Sequence, residues 1–444
     1  MPGEPPPDYA TDELPVAAVR ARIDSLPAPG FLPREPRKWE ETGVDVGLAE
    51  QIVLRSLIRD GAASGREIAT DLCVAQPLCK ELLEALKVQK LVQHRGTTDL
   101  GDFFWEVTDA GRNKALEYRK VNAYVGPLPV PYDQWLKSVA EQTIANVRPD
   151  REQIARAFAD LVLPRGMIEA LGPAVTSGRA IFLHGDPGNG KTSIAERITR
   201  AYGDTIYIPV TLLVDGHLVK FYDPATHEHV PVAQKTLSLA DRLDRRWVRV
   251  RRPTLVAGGE LTLDMLEIQR DPSTGVCEAP LQVKANGGTL VIDDFGRQRI
   301  DATTLLNRWI FPLERRKDYL RVPDGRKISV PFDALLVFST NLEPRDLVDE
   351  AFLRRIPYKI RVSDPTADEF RILVETVADA NHLRLPSGSV AYLLKRHYAE
   401  RPMRFCHARD LVTHVVDACR YERRALVADP RDWDHAVAAY FGAS

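Results

Sequence analysis

The residues GDPGNGKT, at Gly185–Thr192, have the spacing of a phosphate-binding loop. An apolar run, IFLH, precedes them and a helical pattern, SIAERITRAY, follows, which is the context that this motif requires. The glycines permit a tight turn whose N–H groups converge on phosphate oxygens at a helix N-terminus. Lys191 would pair with the β- and γ-phosphates and Thr192 with magnesium. We therefore predict that the chain binds a nucleoside triphosphate with Mg²⁺. The predicted nucleotide-binding residues are Gly185, Asp186, Pro187, Gly188, Asn189, Gly190, Lys191, Thr192 and Ser193.

The segment TLVIDD (289–294) runs from apolar residues into two carboxylates, 102 positions after Lys191 when counted to Asp293. Asp293 is suited to hold magnesium, and Asp294 stands where a general base would polarise an attacking water molecule. An apolar strand that ends in aspartate is common in α/β domains. Its place downstream of a phosphate loop favours the catalytic interpretation.

The next apolar run, ALLVFST (334–340), is followed by Asn341, which could orient the attacking water near the γ-phosphate. The segment AFLRRI (351–356) then carries Arg354 and Arg355. Alone, the asparagine would be typical of a turn and the arginines of a solvated helix face. Their order after the phosphate loop and the acidic strand indicates a role at the nucleotide for all three.

This order of motifs, followed by an all-helical tail, resembles that of the AAA+ ATPases over about residues 150–444. The resemblance implies that Asn341 is sensor 1. It also implies that Arg354 or Arg355 is an arginine finger, which reaches the nucleotide of a neighbouring subunit. A homo-oligomeric ring, most often a hexamer, follows from that arrangement, and so does ATP rather than GTP as the nucleotide.

A further AAA+ motif is suggested by HARDL (407–411) in the helical tail. This segment resembles sensor 2, which implies that Arg409 contacts the γ-phosphate. Arg404 is a weaker candidate for the same role.

Two features depart from the AAA+ pattern. The family usually has glutamate after the magnesium-binding aspartate, whereas this chain has Asp294, so hydrolysis is expected to be slow or the water to be placed differently. The spacing between the phosphate loop and Asp293 is also longer than a minimal core needs. We expect β-rich additions at 214–230 and 247–266, with turns at Asp215-Gly216 and Gly258-Gly259.

Other segments resemble particular AAA+ groups. The pattern YLRVPDGRKISVPF (319–332) predicts a hairpin that resembles the pre-sensor-1 insertion of the MoxR-like branch. The runs GGELTLDML, LQVKANGGTLVIDDFGRQ, LLNRWIFPLERR and FSTNLEPRDLVDEAFLRRI resemble a bacterial group described as predicted chaperone-like ATPases associated with Flp pilus assembly. Within these runs, FGRQ (295–298) and NRW (307–309) are expected to line a subunit interface or pore. Salt bridges within one subunit are the alternative for their arginines.

The elements that position these motifs divide into five parts. Residues 1–42 are predicted to be a proline-rich disordered arm and 123–149 a linker with a helix. Residues 43–122 have the pattern of three helices and a β-hairpin, which resembles a winged helix. The predicted fold class of 150–363 is α/β, a P-loop AAA+ parallel sheet flanked by helices, with strands at 181–185, 205–210, 289–293 and 334–340. Residues 364–444 are predicted to be a helical lid.

The winged-helix-like part, counted over residues 43–120, has eleven lysines and arginines against twelve acidic residues. Its third helix alternates Lys80, Lys87 and Lys90 with Glu81 and Glu84. A surface that reads duplex DNA normally concentrates positive charge. Protein docking is therefore favoured over nucleic-acid binding, although nucleic acid stays open as a partner.

Composition restricts the classes of protein further. The net charge of −2 argues against a general polyanion binder, and no apolar run approaches a membrane span. The five cysteines are scattered, with no CxxC pair, which is typical of buried thiols in a reducing compartment. The acidic, proline-rich N-terminus is unlike a signal peptide, so a cytoplasmic protein is expected.

The leading hypothesis is an ATP-hydrolysing AAA+ ring that remodels or chaperones a protein client. One alternative is a DNA-binding AAA+ motor or regulator that uses the winged helix. Another is a slowly hydrolysing scaffold whose assembly depends on nucleotide, because Asp294 replaces glutamate.

Overall fold

The computed structural model describes residues 30–99, 101–232, 242–347 and 350–442. The predicted arm therefore lies outside the described residues as far as residue 29. Its last part contacts the folded body, since the rings of Phe31 and Trp247 lie 5.0 Å apart and Trp39 is buried. The packed chain thus begins earlier than the arm prediction, 1–42, has it.

Residues 43–122 form helices around a three-stranded antiparallel sheet. The Ser64–Glu67 capping box starts one helix, and Leu82, Leu83 and Trp105 lie in the core. The three predicted helices and the hairpin are present, with one further strand and one further helix; the winged-helix assignment stays a prediction. The elements as far as this unit's end are α1 (Trp39–Thr42), α2 (Val46–Asp60), β1 (Ala62–Ser64), α3 (Gly65–Asp71), α4 (Gln76–Val88), β2 (Val92–Thr97), β3 (Phe103–Val107) and α5 (Asp109–Val121).

The proline-rich segment after this unit, predicted to be a linker, is packed into the body. It forms β4 (Val130–Pro131), which pairs with a later strand, and α6 (Tyr132–Glu141). Leu128, Val130 and Trp135 are buried. The prolines suggested a linker, but the apolar residues between them bury enough surface to hold the segment in place.

The following elements build the rest of the body: α7 (Arg151–Ala157), α8 (Met167–Ser177), β5 (Ile181–His184), α9 (Lys191–Ile198), β6 (Thr205–Pro209), β7 (Thr211–Val214), β8 (His217–Lys220), β9 (Trp247–Arg251), β10 (Thr254–Ala257), β11 (Gln269–Arg270), β12 (Cys277–Glu278), α10 (Leu281–Lys284), β13 (Thr289–Ile292), α11 (Ala302–Arg315), β14 (Lys317–Arg321), β15 (Lys327–Pro331), β16 (Leu335–Thr340), α12 (Pro344–Leu347), α13 (Glu350–Leu353) and β17 (Tyr358–Arg361).

A five-stranded, fully parallel sheet of order β10-β13-β16-β5-β17 lies at the centre of this body. Both of its faces are buried. Ile181 and Leu183 of β5 pack with α8 and α9, whereas Phe182 between them packs with Trp309 of α11. This two-sided burial explains why the strands are continuous apolar runs.

The strand order reverses at β5, because the chain goes from β5 to the far edge at β10 and returns past it to β17. Ligands of open parallel sheets bind at the carboxyl ends of the strands where the order reverses. The loop Gly185–Gly190 follows β5 at this point.

The predicted strands at 181–185, 289–293 and 334–340 correspond to β5, β13 and β16. The prediction that 205–210 belongs to the parallel sheet is wrong, because β6 pairs with β9, antiparallel, in a separate two-stranded ladder. The missing sheet strand is β10, which lies inside the segment 247–266 that was predicted to be an addition. β6 is buried along its whole length, so its sequence has the continuous apolar pattern that is also typical of a central strand.

The predicted addition at 214–230 contains β8, which belongs to a mixed sheet of order β11-β12-β8-β7-β4. Most of that sheet comes from segments outside the two predicted additions. Asp215 and Gly216 join β7 to β8 with φ values of 49° and 82°, as a two-residue hairpin turn requires. The hairpin expected around Asp324-Gly325 is β14–β15. These elements pack on α6 and stand apart from the central sheet.

The last part of the described residues forms four helices, close to the predicted segments: α14 (Ala367–Ala380), α15 (Ser389–His397), α16 (Phe405–Tyr421) and α17 (Pro430–Phe441). Phe370, Leu411 and Trp433 lie in their common core. With the parallel sheet, its flanking helices and this helical region, the predicted α/β P-loop fold class is confirmed. Among the described residues, no helix is long and apolar enough to cross a membrane.

Candidate functional site

The predicted phosphate loop joins β5 to α9 and is closely packed. Gly185, Gly188 and Gly190 have φ values of 138°, 81° and 78°, which favour glycine. A Cβ atom on Gly185 would lie 2.4 Å from the carbonyl oxygen of Val362, and one on Gly188 would lie 2.4 Å from Cys406 Sγ. The glycines therefore serve both the turn and the contact with neighbouring segments.

Lys191 begins α9, and its ammonium group lies within the loop. Nζ donates to the carbonyl oxygens of Gly185 and Asp186, each at 2.9 Å, and to Asn341 Oδ1 at 2.6 Å. Burial lowers the pKa of Lys191, while Asp293 and Asp294 act in the opposite direction. Burial deprives the Lys191 ammonium of hydration. A phosphate group bound at this position would offset that cost by placing negative charge beside the ammonium.

Thr192 and Asp293 bring two oxygen atoms together beside the loop. Thr192 Oγ1 donates to Asp293 Oδ2 at 2.8 Å, across from α9 to the end of β13. A hydroxyl and a carboxylate are the hard oxygen ligands that Mg²⁺ accepts alongside water and phosphate. These two residues therefore fit the predicted magnesium site. Ser193, next in the helix, accepts a bond from Arg197 at its carbonyl oxygen.

Asp294 and Asn341 face each other at the ends of β13 and β16. Asn341 Nδ2 lies 3.4 Å from Asp294 Oδ1, while Asn341 Oδ1 accepts from Lys191. Asp294 has a φ of 50°, an unusual conformation for a residue with a side chain. The structure thus brings the predicted base, the predicted sensor 1 and the loop lysine into one chain of contacts.

Gln298 holds the turn after Asp294. Its Nε2 donates to the carbonyl oxygens of Asp293 and Asp294, and its Oε1 accepts from the N–H of Gly296. The sequence interpretation assigned FGRQ to an interface or pore. The observed bonds instead give this glutamine a local role in placing the two aspartates.

Arg404, at the start of α16, reaches the phosphate loop. Its Nη1 donates to Asp186 Oδ2 at 3.0 Å and also to Asp364 Oδ1. Asn189 Nδ2 donates to the same Asp364 oxygen at 2.6 Å, and the N–H of Cys406 donates to Gly188 O at 2.9 Å. The helical region is therefore fastened to the loop by side chains and by backbone.

Arg409 is not part of this contact. Its side chain is 71% exposed and pairs with the adjacent Asp410 at 2.8 Å. Arg409 lies more than one turn into α16, whereas Arg404 lies at the end that meets the loop, so the position favours Arg404 of the two candidates. The role of Arg409 at the γ-phosphate stays a prediction. Asp364, which follows β17 and shares Arg404 with Asp186, was not identified from the sequence.

Arg354 and Arg355 precede the amino end of β17, away from the loop at the carboxyl end of its neighbour β5. Arg355 Nε pairs with Glu314 at 2.6 Å, and its side chain is 21% exposed. Arg354 is exposed, and its guanidinium has no hydrogen bond or ion pair with any residue in the described ranges. Neither arginine contacts the phosphate loop of its own chain within those ranges.

Arg308, in the NRW segment that was expected at an interface or pore, is paired within its own subunit. It contacts Asp318 at 2.6 Å and Glu267 at 3.3 Å. Asp318 is buried, so this pair fastens α11 to the β14–β15 hairpin. The intrasubunit alternative therefore describes Arg308.

His184, the last residue of β5, is a further polar group beside the site that the sequence analysis did not single out. Its Nδ1 lies 3.4 Å from Glu343 Oε2, and the ring is largely buried. Burial lowers the pKa of His184, with Glu343 acting in the opposite direction. In an apolar strand, a single histidine is more often a core residue than a ligand, so no sequence pattern selects it.

One family model matches the C-terminal part of the chain. Residues 366–439 match a family model described as "Domain of unknown function (DUF8689)", which covers the four C-terminal helices. No curated protein matches the chain.

Among solved structures, a P216G mutant of RuvB from Thermotoga maritima is 14% identical, with a TM-score of 0.36, and covers 68% of this chain and 72% of that chain. NtrX from Brucella abortus is 13% identical, with a TM-score of 0.39, and covers 73% of this chain and 61% of that chain. At these TM-scores the likeness adds no weight to the fold assignment, which rests on the parallel sheet and the helical region.

Proposed function

We propose that this chain is an AAA+ ATPase that hydrolyses ATP as a ring and acts mechanically on a protein client. The observation that supports this best is the convergence on the loop after β5. Lys191 and Thr192 begin α9, whereas Asp293, Asn341 and Arg404 come from three other parts of the chain and lie beside the same loop. Residues of these types around one loop are what binding and cleavage of a phosphate chain require.

In this proposal the loop binds the nucleotide through its backbone N–H groups and Lys191. Thr192 and Asp293 would hold Mg²⁺, which neutralises charge on the phosphates when it is bound. Arg404 donates to Asp186 and Asp364 in the structure. When nucleotide binds, it would donate to the γ-phosphate instead, because a phosphate carries more negative charge than a carboxylate. Lys191 would exchange its two loop carbonyls for phosphate oxygens in the same way.

Asp294 would accept the proton of the attacking water, and Asn341 would orient that water through its amide. The contact between Asn341 and Lys191 ties the position of the water to the lysine that holds the phosphate. Aspartate is one methylene shorter than the glutamate usual in the AAA+ family. We therefore expect the water to lie closer to the end of β13 than in those proteins.

Replacement of Asp294 by asparagine should lower ATP turnover by about 10²- to 10⁴-fold, because general-base catalysis contributes that much. Binding of ATP should persist, since Lys191 and Asp293 are unchanged. Steady-state phosphate release and equilibrium ATP binding test this, with Asp417→Asn on the exposed face of α16 as the matched control. Turnover of the Asp294→Asn variant within twofold of wild type would contradict the base role of Asp294. Slow turnover of the wild type, together with ATP-dependent assembly, would favour the scaffold alternative.

The ring is supported by the position of the two arginines. Arg355 is engaged by Glu314 within the subunit, whereas the Arg354 guanidinium has no such partner among the described residues. Because Arg354 makes no hydrogen bond or ion pair with the loop of its own chain, its guanidinium is available to the loop of a neighbour. We therefore assign the finger role to Arg354 rather than Arg355.

Mixing subunits tests the shared site. Lys191→Ala subunits keep Arg354, and Arg354→Ala subunits keep the loop, so a mixed ring contains some complete sites. We expect the mixture to release phosphate faster than the mean of the two variants measured alone. Additive behaviour at every mixing ratio would contradict a finger that acts between subunits.

A protein client is favoured over DNA by the charges of the N-terminal unit. Lys87 pairs with Glu84 and Arg95 with Glu106, each at 3.8 Å, so part of its positive charge is balanced locally. A salt-sensitive affinity for duplex DNA, lost with Lys80, Lys87 and Arg95 together, would reverse this preference. The relation to the pilus-associated group and to the MoxR-like branch stays a prediction.

A further inference from the structure

A second cleft, of about 570 Å³, opens at the amino ends of β5, β16 and β17. It lies at the opposite edge of the central sheet from the phosphate loop, since the loop follows the carboxyl end of β5. We call it the basic cleft, because its charged lining residues are Arg148, Arg179, Glu314, Arg316, Arg354 and Arg355.

Positive charge in the basic cleft exceeds negative charge. Five guanidinium groups line it, and Glu314 is the one carboxylate among its lining residues as far as the structure describes them. Glu314 is engaged by Arg355 at 2.6 Å. The other arginines are therefore left without a carboxylate from the lining of the cleft.

Two of these arginines are held in place by neutral backbone groups. Arg316 donates to the carbonyl oxygens of Gly178 at 2.7 Å and Ala334 at 3.1 Å. Arg148 donates to Ala145 O at 2.7 Å. Carbonyl oxygens fix the direction of a guanidinium without cancelling its charge, so these groups are positioned cations rather than members of ion pairs.

Arg179 and Arg354 enter the cleft from the loop before β5 and the loop before β17. Both are exposed, and neither guanidinium has a hydrogen bond or an ion pair with the parts of the chain that the structure describes. Their donors are available to a ligand. A guanidinium presents a planar fork that matches phosphate oxygens, and a recess lined by one sign of charge concentrates the opposite sign.

We propose that the basic cleft is a second oxyanion site, which binds a phosphate group through Arg148, Arg179 and Arg354 with Arg316 as a fixed charge behind them. The phosphate could belong to a free phosphate compound or to the nucleotide of a neighbouring copy. The second source rests on the proposed ring. In that case Arg148 and Arg179 would bind the neighbour's nucleotide together with Arg354. The first source is independent of the proposed function.

Binding of inorganic phosphate to full-length Lys191→Ala protein tests the site, because this variant weakens the phosphate loop and leaves the cleft intact. Calorimetry at constant ionic strength, with chloride as the reference anion, should detect saturable binding. Arg179→Gln and Arg148→Gln should each weaken it about tenfold, the effect of losing one charge-assisted hydrogen bond. Arg315→Gln, the same charge change one residue from Arg316 but outside the cleft lining, should leave it unchanged.

The concentration dependence of the result distinguishes the two sources. Phosphate binding by dilute, unassembled protein supports the free ligand. The neighbour's nucleotide is supported if dilute protein binds no phosphate and if Arg179→Gln weakens ATP-dependent assembly. In that case Arg315→Gln should leave assembly unchanged. Both substitutions are made in otherwise wild-type protein for this measurement. The proposal is overturned if the Arg148 and Arg179 variants match Arg315→Gln in both measurements. Phosphate binding without any ATPase activity would contradict the proposed function while leaving the site in place.

Discussion

Replacement of Lys191 by alanine should weaken the binding of Mg·ATP and lower its turnover by about 10²-fold or more, as loss of a preorganised donor to a phosphate oxygen does. The ammonium is buried in the loop, where a charge interacts more strongly with a phosphate than it does in water. Nucleotide binding at equilibrium and steady-state phosphate release measure the two effects separately.

Lys220→Ala on the exposed side of β8 is the matched control for this change, since it removes the same charge away from the site. Near-normal turnover in Lys191→Ala, with Lys220→Ala behaving alike, would mean that the nucleotide is bound elsewhere. The thermal midpoint of each variant shows whether a loss of activity reflects loss of the fold.

Arg404→Ala should lower turnover by roughly 10²-fold, since it removes a cation that is already beside the phosphate loop. Arg409→Ala should stay within twofold of wild type, because its side chain is exposed and paired with Asp410. Arg404→Lys should fall between them, because one ammonium lacks the planar fork of a guanidinium. Turnover at saturating ATP, together with ATP affinity, is the measurement.

The Arg404 variant also loses bonds that fasten the helical region to the loop. A structural loss would lower the unfolding temperature and ATP affinity, whereas a role at the γ-phosphate lowers turnover when ATP is saturating and spares ADP binding. Equal damage from Arg404→Ala and Arg409→Ala would return the sensor 2 role to the HARDL segment.

The sequence was sufficient for the parts of the site that follow the chain directly. The phosphate loop is one continuous motif between a strand and a helix, and Asp293 ends a strand whose whole length is apolar because both sides of the sheet are covered. The C-terminal helices were recognisable for a similar reason: α16 buries Ala408, Leu411, Val412 and Val415, which follow the helical period.

Features that depend on contacts between distant segments were not predictable. β6 is as buried as a sheet strand, yet it pairs with β9 outside the sheet, and burial does not identify the partner of a strand. Arg404 and Arg409 both precede or begin a helix pattern, and only the packing of α16 on Gly188 selects between them. Asp364 and Gln298 act through hydrogen bonds that leave no pattern in the sequence.

The most direct test of the account is a titration of the purified full-length chain with Mg·ATP, followed by measurement of phosphate release from the same samples. We predict saturable binding of one nucleotide per chain and phosphate release that requires Mg²⁺, with both strongly reduced in Lys191→Ala. A folded protein that binds no ATP, or that binds and hydrolyses it equally well without Lys191, would contradict the assignment of Gly185–Thr192 as the nucleotide site.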